Sequence, residues 1–371
     1  MKILITGDLV INRSYNTSDK IHKRIIDLFS GSDYNIVNLE APITDSESKI
    51  IKTGPHLKSD KQSTLNIMKK LNVHIAALAN NHIKDYDEEG VLDTINFCEN
   101  NGIKTIGAGA NIKEASETTV LKTPEGKIAL INIAENEWAS ADESTAGANG
   151  MDLIKDYNSI KKAKENYDFV IVIVHGGLEY YNLPSPKVQQ RYRFYVDSGA
   201  SLVVGHHTHC ISGFEYYKDV PIYYSLGNFL FTKESKFEEW YTGIVLEVNI
   251  EDTELTVKNH PIRQSKTFSL SLLEGSDKKS VLTQIERYSE IIINEEQLSE
   301  EWDNVIHSKI QRYISYWSPK SFIKSKYLLG VLSRLNIKLI NKSGLALYLN
   351  LMRCETHSDI SNQVIEKYLR Q

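Results

Sequence analysis

Short apolar runs alternate with amphipathic stretches through the first two thirds of the chain. The runs Ile3–Ile5, Tyr34–Leu39, His74–Ala79, Lys104–Gly107, Ile128–Ile133, Phe169–Val174 and Leu202–Val204 read as strands. Between them, Ser18–Phe29, Lys61–Leu71, Glu88–Asn101, Asn158–Asn166 and Pro186–Ser198 read as helices. In the third of these, Val91, Leu92, Ile95 and Cys98 recur at helical spacing and Asn101-Gly102 supplies a stop signal. Strands alternating with helices predict an α/β layered fold.

The pattern then changes twice. From Pro221 onward, Ile222–Ser225, Ile244–Ile250 and Leu255–Asn259 alternate like strands with few helical signals between them, which predicts antiparallel strands closing the sheet layers. After Gln264 helical spacing takes over, at Lys279–Ile292, Glu300–Tyr316, Lys320–Leu335 and Ser358–Leu369. The predicted organisation is a layered domain over residues 1–264 and a helical accessory domain over 265–371.

Composition narrows the class. With 371 residues, 41% of them hydrophobic, the chain can bury a sizeable core. Lys and Arg total 43 against 48 Asp and Glu, a net charge of -5, which argues against a chain-wide nucleic-acid partner. The three cysteines, Cys98, Cys210 and Cys354, form no C-x-x-C pair, so a thiolate zinc site and a thioredoxin motif are excluded, and the sparse count suits a reducing compartment. No run reaches the roughly 20 apolar residues of a membrane span. Met1–Asp8 reads as a core strand rather than a leader, so the expected location is cytoplasmic, with association to the inner membrane surface as an extension.

The candidate chemistry lies where polar residues directly follow apolar strands, the place where open α/β sheets hold their ligands. Gly7-Asp8 follows the first strand, Asn38-Leu39-Glu40 ends the second, and Asn80-Asn81-His82, His175-Gly176-Gly177 and Gly205-His206-His207-Thr208-His209 follow later ones. Each alone is ordinarily a turn, a cap or a structural histidine. Their shared placement, with three imidazoles in four residues, points to a metal site, with a sugar- or anion-binding pocket as the competing use of the same strand ends. Carboxylate oxygen with imidazole nitrogen suits Mn, Fe, Zn or Ni, and two such ions about 4 Å apart serve an in-line displacement at phosphorus. A ligand bridging two cations should be anionic, which suits Glu40. Alternation along an extended segment predicts that His207 and His209 face one side and His206 the other.

The order Gly-Asp, strand-end acid, Asn-His, lone His, His-x-His resembles that of the calcineurin-like metallophosphoesterases. Within them the details resemble the CapA family of capsule and poly-γ-glutamate synthesis proteins. The matching stretches are Gly7-Asp8, Val37–Pro42, Leu78–His82 with Asp85-Tyr86, Gly107-Ala108-Gly109, His175-Gly176-Gly177 with Glu179-Tyr180, Gly205-x-His207-x-His209 and Tyr224–Phe229. The resemblance implies a sheet sandwich flanked by helices and two divalent metal ions, Mn, Fe or Zn. It implies that Asp8 and His209 hold the first ion, that Glu40 bridges, and that Asn81, His175 and His207 hold the second. His82 would be the catalytic imidazole, acting on the leaving oxygen or on phosphoryl charge, with Arg13, Asn38, Glu179 and Asn228 nearby. Asp8-Leu9-Val10 lacks the histidine of the wider superfamily's Asp-x-His opening, and Glu40 stands where an aspartate usually bridges, so the first ion should bind more weakly. The implied function is a metal-dependent phosphoester hydrolase in capsule or other cell-envelope polymer synthesis, acting on a phosphorylated or lipid-linked glycan or an anionic polymer. The alternative is a non-catalytic or amide-processing subunit of a synthesis or export complex; a pure scaffold, however, would not need His82.

Charge is segregated near the carboxy terminus. Glu295, Glu296, Glu300, Glu301 and Asp303 cluster, and residues 304–354 then hold no Asp or Glu. That stretch carries Lys309, Arg312, Lys320, Lys324, Lys326, Arg334, Lys338, Lys342 and Arg353, interleaved with Tyr313, Tyr316, Trp317, Phe322 and Tyr327. It predicts either a solvated face paired with the acidic cluster or a peripheral contact with an anionic partner such as a membrane surface.

Overall fold

The computed structural model describes residues 1–371 except 17–19, 124–125, 252, 317–324, 335–341 and 370–371. The strands are β1 (Lys2–Val10), β2 (Tyr34–Leu39), β3 (Ile75–Ala77), β4 (Lys104–Ile106), β5 (Ala108–Gly109), β6 (Thr119–Thr123), β7 (Gly126–Ala134), β8 (Gly147–Ala148), β9 (Phe169–His175), β10 (Leu202–His206), β11 (Phe214–Tyr217), β12 (Val220–Tyr223), β13 (Asn228–Phe231), β14 (Thr242–Glu251), β15 (Glu254–Gln264) and β16 (Leu270–Leu272). The helices are α1 (Lys23–Ser30), α2 (Lys61–Lys70), α3 (Asp87–Asn100), α4 (Ile112–Ala115), α5 (Leu153–Asn166), α6 (Pro186–Ser198), α7 (Gly275–Ile293), α8 (Glu295–Tyr316), α9 (Lys326–Arg334), α10 (Lys342–Arg353) and α11 (Glu355–Leu369).

Two sheets form the centre. One has the order β16-β15-β14-β1-β2-β3-β4, with β13 also paired to β1; the other has the order β11-β12-β10-β9-β7-β6. Alternation along the central strands builds the layers. Ile3 and Ile5 of β1 and Phe169, Ile171 and Ile173 of β9 share one core between the sheets. Leu4 and Leu9 face α1–α3, packing with Ile25, Phe29, Ile67 and Val91. Val170, Val172 and Val174 face the opposite way, onto Ile160 of α5 and Tyr192 and Tyr195 of α6. Strands covered on both faces explain the unbroken apolar runs in the sequence. The α/β layered class expected from the pattern is therefore the observed one.

The parallel pairs fix where polar side chains emerge. Asp8 of β1 is in register with Asn38 of β2 and with Asn228 of β13, and His206 of β10 is in register with His175 of β9. Gly7 permits the meeting of Asp8 with Asn228. A Cβ there would overlap the Gly227 carbonyl, and Asp8 N–H donates to that same oxygen at 3.1 Å.

The carboxy-terminal helices attach to this sandwich. Val281 and Ile285 of α7 join the inter-sheet core. Trp302, Ile306 and Ile310 of α8, Leu351 of α10 and Ile360 and Val364 of α11 form a separate core, against which Leu178 and Tyr181 from the loop after β9 pack. Of the described helices, none is long and apolar enough to cross a membrane.

Several elements differ from the sequence reading. The expected strand His74–Ala79 is regular only over Ile75–Ala77, which releases Leu78 and Ala79 into the loop that carries Asn81. α5 begins at Leu153 because the Asp152 carboxylate caps Ile154 and Lys155. α7 and α8 begin four and five residues earlier than expected, and β16 pairs with β15 beyond residue 264. β5, β6, β8, β11, β13 and α10 lack a readable period because they are short or only partly buried. The expected helix from Ser18 starts outside the described residues, and α1 begins at Lys23. Of the expected helix 320–335, α9 is the described part; Trp317, Lys320, Phe322, Lys324 and Lys338 lie outside the described residues.

One buried carboxyl gives this core a pH dependence. Asp156 of α5 accepts the Tyr195 hydroxyl at 2.8 Å, and burial raises its pKa to about 7. The folded protein thus keeps a proton that the unfolded chain releases near the ordinary value of 3.8. Stability should fall by roughly tenfold in folding constant per pH unit as pH rises through this window, and level off above it. Asp156→Asn keeps the acceptor and removes the ionisation, so denaturant titrations at several pH values should show a flatter profile and a more stable variant at alkaline pH.

Candidate metal centre

Five strand ends meet in one buried cluster. Asp8, Glu40, Asn81, His175, His207 and His209 are all buried. Two groups of donor atoms lie within 4.8 Å of one another: Asp8, Glu40 and His209 in one, Glu40, His175 and His207 in the other. Glu40 belongs to both. Its Oε1 is 3.5 Å from His175 Nε2 and 3.7 Å from His209 Nε2. Asn81 joins the second group, with Oδ1 3.1 Å from His175 Nε2.

The residues around the cluster orient it. Asn38 Nδ2 donates to Asp8 Oδ1 at 2.6 Å and lies 3.2 Å from His175 Nδ1, so one amide ties the two sheets' contributions together. Asn228 Oδ1 is 3.1 Å from His209 Nδ1 and its Nδ2 donates to the Trp240 carbonyl. His209 is thereby held through its Nδ1–H with Nε2 turned to the cluster, the arrangement that fixes a ligating tautomer. Asn80 acts on the backbone instead. Its Nδ2 donates to the Leu39 and Leu78 carbonyls and its Oδ1 accepts His82 N–H, fastening the loop to the end of β2.

The donor set fits a cation. Asp8 Oδ2 and both Glu40 oxygens are buried without a hydrogen-bond donor among the described residues. Buried carboxylates left in that state are costly unless a positive charge meets them. Burial and the neighbouring Asp8 push Glu40 well above the usual carboxylate range, while His209, His206 and Asn38 hold Asp8 below it in spite of burial. Against its own burial, His209 is carried up to about 10 by Glu40 and Asp8, and burial with the surrounding imidazoles lowers His175. Oxygen and nitrogen donors of this kind suit divalent transition ions.

Backbone strain completes the arrangement and corrects one expectation. His207 and His209 have φ values of 88° and 57°, in the region L-residues rarely adopt. β10 therefore ends at His206, and strand alternation does not extend through the three histidines. His206 does not point away: its Nδ1 is 3.9 Å from Asp8 Oδ1 and both ring nitrogens are buried without hydrogen-bond partners among the described residues. Burial lowers His206 to about 4, so it sits neutral beside the carboxylate.

His82 lies beside the ligand groups and outside them. Its Nδ1 is 2.6 Å from Asp85 Oδ2, and Lys52 Nζ contacts both Asp85 Oδ1 and His82 Nδ1. Asp85 also accepts Leu57 N–H at 2.6 Å, which locks the carboxylate. Glu179 is exposed and, with His82 and His207, lines the cleft above the cluster. Arg13, expected nearby, is exposed and stacks over Phe268 at 5.1 Å instead. Sequence reasoning missed Lys52 and Glu137. Glu137 Oε1 is 3.6 Å from His207 Nε2 and 3.4 Å from Asn81 Nδ2. Glu137 also belongs to a third donor group with Cys354 and His357. Its signal was present, since it closely follows the apolar run of β7; Lys52 sits in an irregular loop with none.

Two oxygen-and-nitrogen ligand groups sharing one buried carboxylate, set at the ends of parallel strands of an α/β sandwich, define a candidate two-metal centre. The family model for the bacterial capsule synthesis protein PGA_cap matches residues 2–233, and the chain belongs to this family. It is 32% identical over 247 residues to the capsule biosynthesis protein CapA of Bacillus anthracis, covering 62% of this chain and 59% of that protein. It is 31% identical over 235 residues to the PGA biosynthesis protein CapA of Bacillus subtilis strain 168, covering 61% and 62%. The chain thus aligns with about three fifths of the length of these relatives. A solved phosphatase from Mycoplasma pneumoniae is similar at 12% identity and a TM-score of 0.43, covering 76% of this chain and 96% of that one. A likeness that slight fixes neither activity nor substrate.

The shared carboxylate yields an ordered set of outcomes. Elemental analysis of purified, Mn²⁺-loaded protein should show partial metal loss in His207→Ala and in His209→Ala, which each remove a ligand from one group. Glu40→Gln should lose the most, because it weakens both groups at once, and a removed ligand or its support costs about 10–100-fold in affinity. Full metal retention in Glu40→Gln would contradict the assignment.

Proposed function

We propose that this protein is a metal-dependent phosphoester hydrolase acting in the synthesis of a capsule or another cell-envelope polymer, on a phosphorylated or lipid-linked glycan or an anionic polymer. The observation that carries the reading is His82. It lies beside the ligand groups, is a member of neither, and is oriented by a buried Asp85 that Lys52 and Leu57 N–H hold in place.

Divalent ions held by Asp8, Glu40, Asn81, His175, His207 and His209 would supply positive charge for phosphoryl oxygens and a water acidified for attack. The protein's own groups do the rest. Asn38 and Asn228 keep the imidazoles in register. Asp85 at Nδ1 holds the His82 ring and supports its protonated form, which leaves Nε2 as the nitrogen able to give a proton to a leaving oxygen. Burial, joined by Lys52, opposes that protonation and lowers the His82 pKa.

His82→Ala should lower turnover of bis-p-nitrophenyl phosphate by about 10²–10⁴-fold while metal content stays near that of the parent. Metal loss equal to that of His207→Ala would make His82 a ligand, and unchanged turnover in both variants would place the activity elsewhere.

The basic stretch provides a route to an anionic partner. Glu295 and Asp303 pair with Arg193 and Lys367, at 3.2 and 2.9 Å, so their described partners lie outside residues 304–354. Tyr327, Leu328 and Val331 of α9 and Leu345, Leu349 and Met352 of α10 are exposed, near Arg334 and Lys342. Apolar side chains beside cations suit the surface of an anionic bilayer. Co-sedimentation with phosphatidylserine vesicles should exceed that with phosphatidylcholine vesicles and weaken in high salt. Equal recovery with both would exclude a charge-driven membrane contact.

A further inference from the structure

The cleft above the ligand groups has a second wall. A cavity of about 520 Å³ is lined on one side by Asn81, His82 and His207, and on the other by Lys309 of α8, Asn350 of α10 and His357 of α11. A volume of that size matches sites for whole small molecules, and a phosphoryl group alone would leave most of it to solvent. All three far-side residues lie beyond residue 233, where the family match ends.

These helices are fastened to the rim of the cleft. Glu355 accepts Asn136 N–H at 2.9 Å and Asn136 Nδ2 at 2.7 Å. The Thr356 hydroxyl donates to Glu135 Oε1 at 2.7 Å, and the Arg353 guanidinium donates to the Glu137 carbonyl. From the other direction, Leu178 and Tyr181 of the loop that carries Glu179 pack into the core of α8, α10 and α11. The wall is therefore built into the site rather than laid against it.

Two side chains give this wall its chemistry. Asn350 is buried, and its Oδ1 has no hydrogen-bond partner among the described residues. A buried amide in that state is costly unless a ligand pairs with it, and an amide can meet a hydroxyl with either end. Lys309 is half-buried and lines the same cavity, where burial strengthens the pull of an ammonium on an anion.

We propose that α8, α10 and α11 form the specificity wall of the metal cleft. They recognise the unreacting part of a phosphorylated sugar that carries a second anionic group, with Lys309 meeting that anion and the Asn350 amide meeting a hydroxyl. The reacting end of this ligand rests on the hydrolase reading; the wall does not.

Calorimetric titration of the full-length, Mn²⁺-loaded protein tests it, with fructose 1,6-bisphosphate and fructose 6-phosphate as probes. The bisphosphate should bind about tenfold tighter, one charge-assisted contact's worth. That ratio should collapse toward one in Lys309→Met and persist in Lys309→Arg. Asn350→Leu should weaken both sugars relative to inorganic phosphate. Melting curves and metal content of each variant report whether the fold and the ligand groups remain. A ratio near one in the parent protein, or a ratio that survives Lys309→Met, overturns the proposal. Turnover of p-nitrophenyl phosphate, read on the same samples, separates the two ideas. Selective binding without turnover keeps the wall and sinks the hydrolase, and turnover without selectivity does the reverse.

Discussion

Two carboxylates, Asp8 and Glu40, are buried at the ends of neighbouring parallel strands, and the rest of the site answers the charge they carry. Three of their four oxygens lack a hydrogen-bond donor among the described residues. In so dry a place an ionised pair is untenable without positive charge close by. The protein supplies part of it as imidazole, with His209 carried up to about 10 by these two groups. Divalent ions answer the same demand better, since each would pair a carboxylate and an imidazole at once. The strained backbone at His207 and His209 and the close approach of Gly7 to the Gly227 carbonyl make geometric sense as the means of bringing donors from two sheets to that point.

The two sheets contribute differently. The β1–β2 side brings the acids, the β9–β10 side brings the imidazoles, and Asn38 spans them through contacts to Asp8 and His175. His82, Asp85 and Lys52 then form a small charged network of their own on the rim, fixed by Leu57 N–H. The carboxy-terminal helices complete the cleft from the far side. The candidate ligands thus lie within the family-matched residues, and the far side of the cleft lies in helices beyond them.

Much of this was legible as polar residues directly after apolar runs. That rule rests on strand geometry, which delivers the last side chain of each parallel strand to one edge. It gathered Asp8, Glu40, Asn81, His175, His207 and His209 from positions up to 201 residues apart, and the structure brings them together. Glu137, three residues past the end of β7, falls under the same rule. The rule had no purchase on Lys52, whose loop has neither period nor strand, and tertiary contact alone delivers that ammonium to His82. Strand alternation does not place His206, because β10 ends there and positive φ values at His207 and His209 break the period. Arg13 follows β1 closely in sequence, yet the chain turns it outward onto Phe268. The wall of α8, α10 and α11 was invisible because a helix's hydrophobic spacing says that it packs, not what it packs against.

A two-metal centre at this place depends on one carboxylate, Glu40, serving both ligand groups. Electron paramagnetic resonance of the protein saturated with Mn²⁺ addresses that directly, because ions sharing a bridging ligand couple their spins. A bridging Glu40 predicts an exchange-coupled spectrum for the parent protein and the hyperfine pattern of isolated ions for Glu40→Gln at whatever loading remains. An isolated-ion spectrum from the fully loaded parent protein would contradict it.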